Sequence, residues 1–585
     1  MYYRIAVQIP KVPGKITFMK KGKAAYVLYE YDRVYKPDKK YTIARRAVIG
    51  KVSDTDDNRM SPNENYLKYF PNAILPEELP EAYRSCCLKI GSYLVIDKIL
   101  QEYNLKPMLE KQLENDFGLF LDLLAYLIVD GENAGQYYPD FAYSHPLFSD
   151  RMKIYSDSKV SRLFSSITKN QSVGFLNDWN RKRDHKQRLY VSYDSTNKNC
   201  QAGDIDILEF GKAKSDAGTP IFNLAVAFDC NNRIPLLYEE YPGSLNDVSQ
   251  LKFLVDKVNE FGYKNVGFIL DRGYFSKDNI QYMEAEKHEF IIMAKGCRPL
   301  VSSMVRELRN SFETDRSRAI RSYRVYGTTK EAKLYEDDRR NRYFHIYYEP
   351  SKCAAEREQL EKRIDRYKEF IRKQEGTDQK FGKTYEHYFD FRYDKKGMLL
   401  YAEEKSAVIQ QELELCGYFC IITSEKMTAE QALVKYKGRD ISEKLFRADK
   451  SFIGSKSMRI QSSNAMSSKL FLEFVTLIVR NRMYSLLKEE MLRIETTPNY
   501  LTVPAAIREL EKIEMVRYND GEYRLDHAVT KKQKDILAAF GMDAEYVIRK
   551  SNEISELLKN DLSMKDSSEE EEDEEDGQKE NDYFD

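Results

Sequence analysis

At 585 residues the chain is too long for one compact core, given domains of roughly 100 to 200 residues, and is read as several domains. No stretch of about 18 uncharged apolar residues occurs, and the start Met1-Tyr-Tyr-Arg-Ile lacks the charged-then-apolar pattern of a signal peptide; both exclude membrane insertion and export, so a cytoplasmic protein is expected. The net charge of -1 conceals a split, because residues 565–585 carry twelve acids and two lysines and the rest of the chain is left at +9, a balance compatible with a nucleic-acid partner.

Residues 1–75 contain short alternating strands, from Lys15-Ile-Thr-Phe-Met through Lys23–Tyr31 to Tyr41–Ile49, and predict a small β-rich module. Over 76–188 the apolar spacing turns helical, with Leu119, Phe120, Leu123, Leu124, Tyr126 and Leu127 as the clearest stripe. This segment closes on the basic run Arg181-Lys-Arg-Asp-His-Lys-Gln-Arg, which marks it as a DNA-contacting helical region or a solvated charged face.

Residues 189–295 change character. Leu189-Tyr-Val-Ser-Tyr-Asp alternates as a strand, and Pro220–Phe228 returns through an Asn231-Asn232 turn as Arg233–Tyr241, a hairpin. A helix over about 246–260, a strand Val266–Leu270, a helix over about 277–287 and a strand from Phe290 follow. A hairpin first and β-α-β units afterwards predict a mixed sheet flanked by helices, an α/β multidomain protein.

Residues 296–416 dissolve into a charged, Tyr-rich stretch with one long helix, Cys353–Gln374, and have the character of an insertion domain. Residues 417–490 resume with the strand Tyr418-Phe-Cys-Ile-Ile-Thr, a helix opened by the capping-box spacing Thr428–Gln431 and an apolar helix over 466–490. A polar helical region at 491–560 and an acidic tail at 561–585, too poor in apolar residues to fold, end the chain. The eight cysteines show no disulfide framework; Cys416 and Cys420 alternate with apolar residues as on a buried strand, without a partner pair for zinc.

Two aspartates stand at the ends of apolar strands, Asp194 in Tyr-Asp-Ser-Thr and Asp271 in Leu-Asp-Arg-Gly-Tyr-Phe. Such carboxylates can converge at one sheet edge, as a pair of Mg2+ ions about 4 Å apart requires, although an Asp after a strand is also an ordinary turn or helix cap. After the Tyr-rich stretch, Tyr436, Arg439, Glu443 and Lys450 follow at spacings of three, four and seven. On one continuous helix they fall within a sector of about 60° along roughly 21 Å, presenting an aromatic, a guanidinium, a carboxylate and an ammonium in a row. The bland alternative is an exposed helix with Arg439 and Glu443 paired across one turn.

On these residues the sequence resembles the DDE insertion-sequence transposases of the IS-four type, whose signature is Tyr, two residues, Arg, three residues, Glu, six residues, Lys; the likeness covers roughly 185–490. The resemblance implies an RNase H-like core in two parts, 189–295 and 417–490, separated by an insertion domain. It implies Asp194, Asp271 and Glu443 as catalytic ligands of two Mg2+ (or Mn2+) ions, with Tyr436, Arg439 and Lys450 on the DNA. It further implies cut-and-paste DNA transposition: binding of terminal inverted repeats, metal-dependent cleavage and strand transfer into target DNA, by a dimer on double-stranded DNA, nucleoid-associated when bound.

Some relatives hold a flipped base on an insertion-domain Trp, whereas Trp179, the single Trp here, precedes the core. Gly376–Thr384 is a poor P-loop, with five residues between its glycines and a helix before it, so no nucleotide cofactor is expected. The alternative reading is a catalytically inactive DNA-binding protein or repressor derived from a transposase.

Overall fold

The computed structural model describes residues 7–562 apart from 22, 23, 38, 39, 53–57, 74, 76–83, 184–187, 201–204, 211–218, 246, 295–298, 441–456, 519 and 520. The chain divides into two compact units, one of residues 1–102, 136–157 and 486–585, the other of 103–135 and 158–485. Among the described residues no helix is long and apolar enough to cross a membrane.

In the first unit β1 (Val7–Gln8), β2 (Ile16–Lys21), β3 (Ala24–Lys36), β4 (Tyr41–Val52) and β5 (Arg59–Pro62) form an antiparallel sheet in the order β1-β5-β4-β3-β2. Its core is small: Val7, Val27, Ile49, Met60 and Tyr66. A three-stranded sheet joins β6 (Cys87–Lys89) to a hairpin of 514–517 and 523–525, so the C-terminal region expected to be helical contributes strands as well. These strands depend on pairing with a segment more than 400 residues earlier, which no local periodicity announces.

The second unit is built on one large mixed sheet. Its strands are β7 (Leu189–Cys200), β8 (Ile221–Asp229), β9 (Ile234–Pro242), β10 (Val266–Leu270), β11 (Glu289–Met293), β12 (Ala319–Ile320), β13 (Val325–Ala332), β14 (Arg342–Tyr348), β17 (Tyr418–Thr423) and β18 (Ser457–Met458); β15 (Phe389–Tyr393) and β16 (Leu399–Glu404) pair separately. The order is β12-β13-β14-β17-β11-β10-β7-β8-β9, with β18 on β7. β10 runs parallel to both β7 and β11, while the hairpin β8–β9 and the β13–β14–β17 side are antiparallel. β8 and β10 are buried at every residue, as expected of strands covered on both faces.

Residues 296–416 therefore do not form one separate body. Arg342-Tyr-Phe-His-Ile-Tyr-Tyr alternates and pairs with β17 from Tyr343↔Thr423 to Tyr348↔Tyr418, extending the central sheet. β12 and β13 continue the sheet beyond β14, while the helix Pro350–Lys373 and the segment up to Leu413 pack into a cluster of their own around Leu360, Ile364, Ile371, Phe389 and Leu399.

Two polar features are buried in this unit. Lys198 of β7 and Glu473 of the helix Ser463–Arg493 form a fully buried ion pair at 2.8 Å. On β14, His345 lies between Thr329 Oγ1 at 2.9 Å and Thr423 Oγ1 at 3.0 Å, and burial pushes its pKa down to about 4. A folded-state pKa below the unfolded value of about 6.5 gives stability that is fully present above that pH and is lost as pH falls toward 4, on the order of 3 kcal/mol in all. In thermal melts, the stability gap between the native protein and His345→Gln is expected to narrow between pH 7 and pH 4; a gap constant over that range contradicts it.

Candidate active site

β7 and β10 lie side by side and parallel, paired from Val266↔Leu189 to Leu270↔Tyr193. Asp194 and Asp271 each follow the last of these pairs by one residue. Equivalent positions on adjacent parallel strands point to the same side, and the strands are about 4.8 Å apart, so the two carboxylates are neighbours where β10 ends. Asp271 ends its strand as expected, whereas Asp194 lies within β7, which runs on to Cys200 because β8 continues to pair with it. The hairpin β8–β9 intervenes in sequence but lies on the far side of β7, which is why residues 77 apart can meet.

The cap reading of Asp271 also holds: Asp271 Oδ1 accepts from the backbone N–H of Arg272 at 2.7 Å, opening the short 3-10 turn Arg272–Tyr274. The same oxygen faces the Tyr436 hydroxyl at 3.5 Å and the Arg439 guanidinium at 3.4 Å. Three donors thus converge on one oxygen, and Oδ2 has no partner among the described residues on a side chain that is 38% exposed. Asp194 Oδ1 accepts from the N–H of Ser195 at 2.9 Å.

Tyr436 reaches Asp271 from the helix Ala429–Lys437, which begins with a reciprocal capping box: Gln431 N–H to Thr428 Oγ1 at 3.1 Å and Thr428 N–H to Gln431 Oε1 at 3.0 Å. Ala432, Leu433 and Tyr436 bury its inner face, and the Tyr347 hydroxyl donates to the Ala429 carbonyl at 2.7 Å. Lys435 sits 3.6 Å from the centre of the Tyr190 ring. That ring lies across Gly267, where a Cβ would come within 2.8 Å of it, so the glycine on β10 makes room for the platform that locates the helix.

Of the continuous helix expected from Tyr436 to Lys450, the described part shows a turn at Gly438–Arg439, with Asp440 helical again. The helix ends at Lys437, Gly438 is its cap, and Gly438–Arg439 form a turn. Glycine weakens the helix by about 1 kcal/mol relative to alanine, and the last turn tightens, with Arg439 N–H donating to the Tyr436 carbonyl three residues back at 3.2 Å. In such a turn positions i and i+3 eclipse, which sets the Arg439 guanidinium 5.4 Å from the Tyr436 ring and directs both groups to Asp271. Glu443 and Lys450 lie outside the described residues.

Hard carboxylate oxygens without imidazole or thiolate suit Mg2+ or Mn2+. Among the described residues no group of three or more His, Cys, Asp or Glu is placed to hold a metal ion. The donor chemistry of Asp194 and Asp271 therefore fits such an ion, with at least one further ligand needed.

One feature escaped sequence reasoning. A cavity of about 440 Å3 adjoins the site, lined among others by Arg272, Lys352, Lys437, Phe419 and Tyr436. Arg272 and Lys437 are each the residue after a position already singled out, the only hint the sequence offers. Trp179 is fully buried, donates to the Pro235 carbonyl at 2.9 Å and carries the Arg183 guanidinium 3.9 Å from its ring, so it is a packing residue. The described ends of the basic run are also engaged, Arg181 with Asp178 and Arg188 with Glu425.

Residues 186–479, half of the chain, match the model of the transposase DDE domain. No curated protein matches the sequence. Among solved structures, the chain is similar to piggyBac transposase in a synaptic complex with hairpin DNA, at 7% identity over 84% of this chain and 86% of that one, with a TM-score of 0.35. It is also similar to Mos1 transposase in a paired-end complex with the left transposon end, at 15% identity over 29% of this chain and 57% of that one, with a TM-score of 0.14. The match over 186–479 takes in β7, β10 and the helix carrying Tyr436, and on it the chain belongs to the transposase DDE domain family.

Proposed function

We propose that this protein is an insertion-sequence transposase of the IS-four type, with an RNase H-like catalytic core that cuts DNA at its element's terminal inverted repeats and joins the freed ends to target DNA. The observation that carries the reading is the pair Asp194 and Asp271 on adjacent parallel strands, with the donors on Asp271 gathered on one oxygen and the other without a partner among the described residues. Asp194, Asp271 and Glu443 are the residues that would hold two divalent ions. Bound there, the ions would lower the pKa of the attacking hydroxyl and neutralise charge on the leaving oxygen.

The chain's own groups do the rest. Arg439 offsets the charge of Asp271 and offers a planar fork to a DNA phosphate; Tyr436 holds the carboxylate with its hydroxyl, and Lys450 adds a point charge. Bringing two element ends together calls for a dimer on DNA. Arg439→Lys keeps the charge and loses the fork, so cleavage is expected to fall roughly tenfold to a hundredfold with melting unchanged. Activity within twofold of the native protein contradicts a fork contact.

The test uses the full chain, Mg2+ and duplex DNA bearing the sequences that flank its own reading frame. Metal-dependent 3′-hydroxyl ends at fixed positions, followed by joining to a second duplex, are expected. Binding without cutting in either Mg2+ or Mn2+ overturns the proposal in favour of a non-catalytic DNA-binding protein, and cutting without joining in favour of a nuclease.

A further inference from the structure

Residues 11–51 carry twelve Lys and Arg against three Asp and Glu, a net of +9, which equals the whole surplus of the chain ahead of its acidic end. These residues build β2, β3 and β4. β2 pairs with β3 only as far as Ile16↔Tyr29, and β5 pairs with β4 only over Gly50–Val52. Beyond Glu30↔Arg46, β3 and β4 therefore pair only with each other, through Asp32↔Arg45, Val34↔Ile43 and Lys36↔Tyr41. The result is a two-stranded ribbon about 20 Å long.

The base of the ribbon is fixed and its end is exposed. Glu30, only 4% exposed, pairs with Arg33 and with Arg46 at 3.3 Å, and Tyr31 stacks on Tyr69 with ring centres 5.0 Å apart. Further out, Lys36 and Lys40 are exposed, as are Tyr35 (58%) and Tyr41 (49%), and nearer the base Arg45 is exposed and lies 4.0 Å from Asp32 across the ribbon. A soluble surface has no need of two large exposed aromatic rings among cations. A polyanion with grooves does supply both partners, phosphates for the cations and sugar or base edges for the rings.

We propose that the β3–β4 ribbon docks on duplex DNA, its cations on phosphates and its end in the major groove, which is about 12 Å wide and admits a two-stranded ribbon. The ribbon gives the DNA of the proposed transposase reaction a holding surface made of residues other than the catalytic carboxylates, and it rests on that reading for the choice of DNA as polyanion.

The experiment measures binding of a fluorescein-labelled, mixed-sequence 30-base-pair duplex by the full chain across a salt series, with cleavage assayed in parallel. The triple variant Lys36→Ala, Lys40→Ala, Arg45→Ala is expected to bind at least tenfold more weakly, with the slope of log affinity against log salt reduced by about 2 to 3. Its melting curve should be unchanged. Equal binding by the triple variant, while the native protein cuts DNA, overturns the ribbon proposal and leaves the catalytic reading standing; native protein that neither binds nor cuts duplex overturns both. Tighter binding by the triple variant identifies the chain's own acidic end as the occupant, and a loss seen only with an RNA hairpin identifies RNA; either overturns it.

Discussion

Asp194→Asn is expected to reduce metal-dependent strand cleavage by roughly a thousandfold, about 4 kcal/mol of transition-state stabilisation, while the melting temperature stays within about 2 °C of the native value. The amide keeps the shape of the side chain and the oxygen that accepts from Ser195 N–H, so the local turn is preserved. What it loses is the negative charge beside Asp271, and a neutral amide is a poor ligand for a hard divalent ion. Single-turnover cleavage of a duplex bearing the flanking sequences, with a melt of the same sample, separates this from unfolding. Retention of more than a tenth of native activity contradicts the role assigned to Asp194.

Glu473→Gln is expected to have the largest effect on stability. Lys198 is fully buried, and its ammonium lies 2.8 Å from Glu473. Close by, Lys469 is also buried, donates to the Asn133 carbonyl at 2.6 Å and has its pKa pushed down to about 8 by burial. Removing the one carboxylate leaves two buried amines facing a neutral amide, at a cost of roughly 3 to 5 kcal/mol. Replacing both partners, as Lys198→Met with Glu473→Leu, is expected to recover most of the loss, because the pair's attraction mainly offsets its own desolvation. The effect reaches the site, since Lys198 lies four residues beyond Asp194 on an unbulged stretch of β7 and thus on the same face. Thermal and urea unfolding of the two variants give the test; a Glu473→Gln variant within 1 kcal/mol of the native protein contradicts it.

Much of the central sheet was legible because its strands are short apolar runs closed by turns. Val266–Leu270 is delimited by Gly262 before it and Asp271 after it, and the Asn231-Asn232 turn announces the β8–β9 hairpin. Local patterning cannot reveal which strands become neighbours. β13 and β14 sit in a charged, Tyr-rich stretch, and their hairpin joins the central sheet only because β14 pairs with β17, some 75 residues later, so the whole of 296–416 had the character of an insertion. Likewise β6 finds its partner only near the C-terminus.

The two aspartates could be singled out from sequence, but their adjacency follows from β10 pairing with β7 while β8 and β9 lie to the other side. A shared helix face for Tyr436 and Arg439 requires regular geometry through Gly438. The tightened turn there replaces that geometry with a closer convergence on Asp271. That Oδ2 of Asp271 has no partner among the described residues was beyond any sequence reading, since it depends on which oxygen three separate donors choose.

The most direct test of the central claim replaces that ligand by a softer one. Asp271→Cys should be inactive with Mg2+, which binds thiolate poorly, and should regain at least a tenth of native cleavage with Mn2+, which accepts it more readily. Cleavage in Mg2+ at the native rate would show that Asp271 does not hold the metal, and the site proposed here would be wrong.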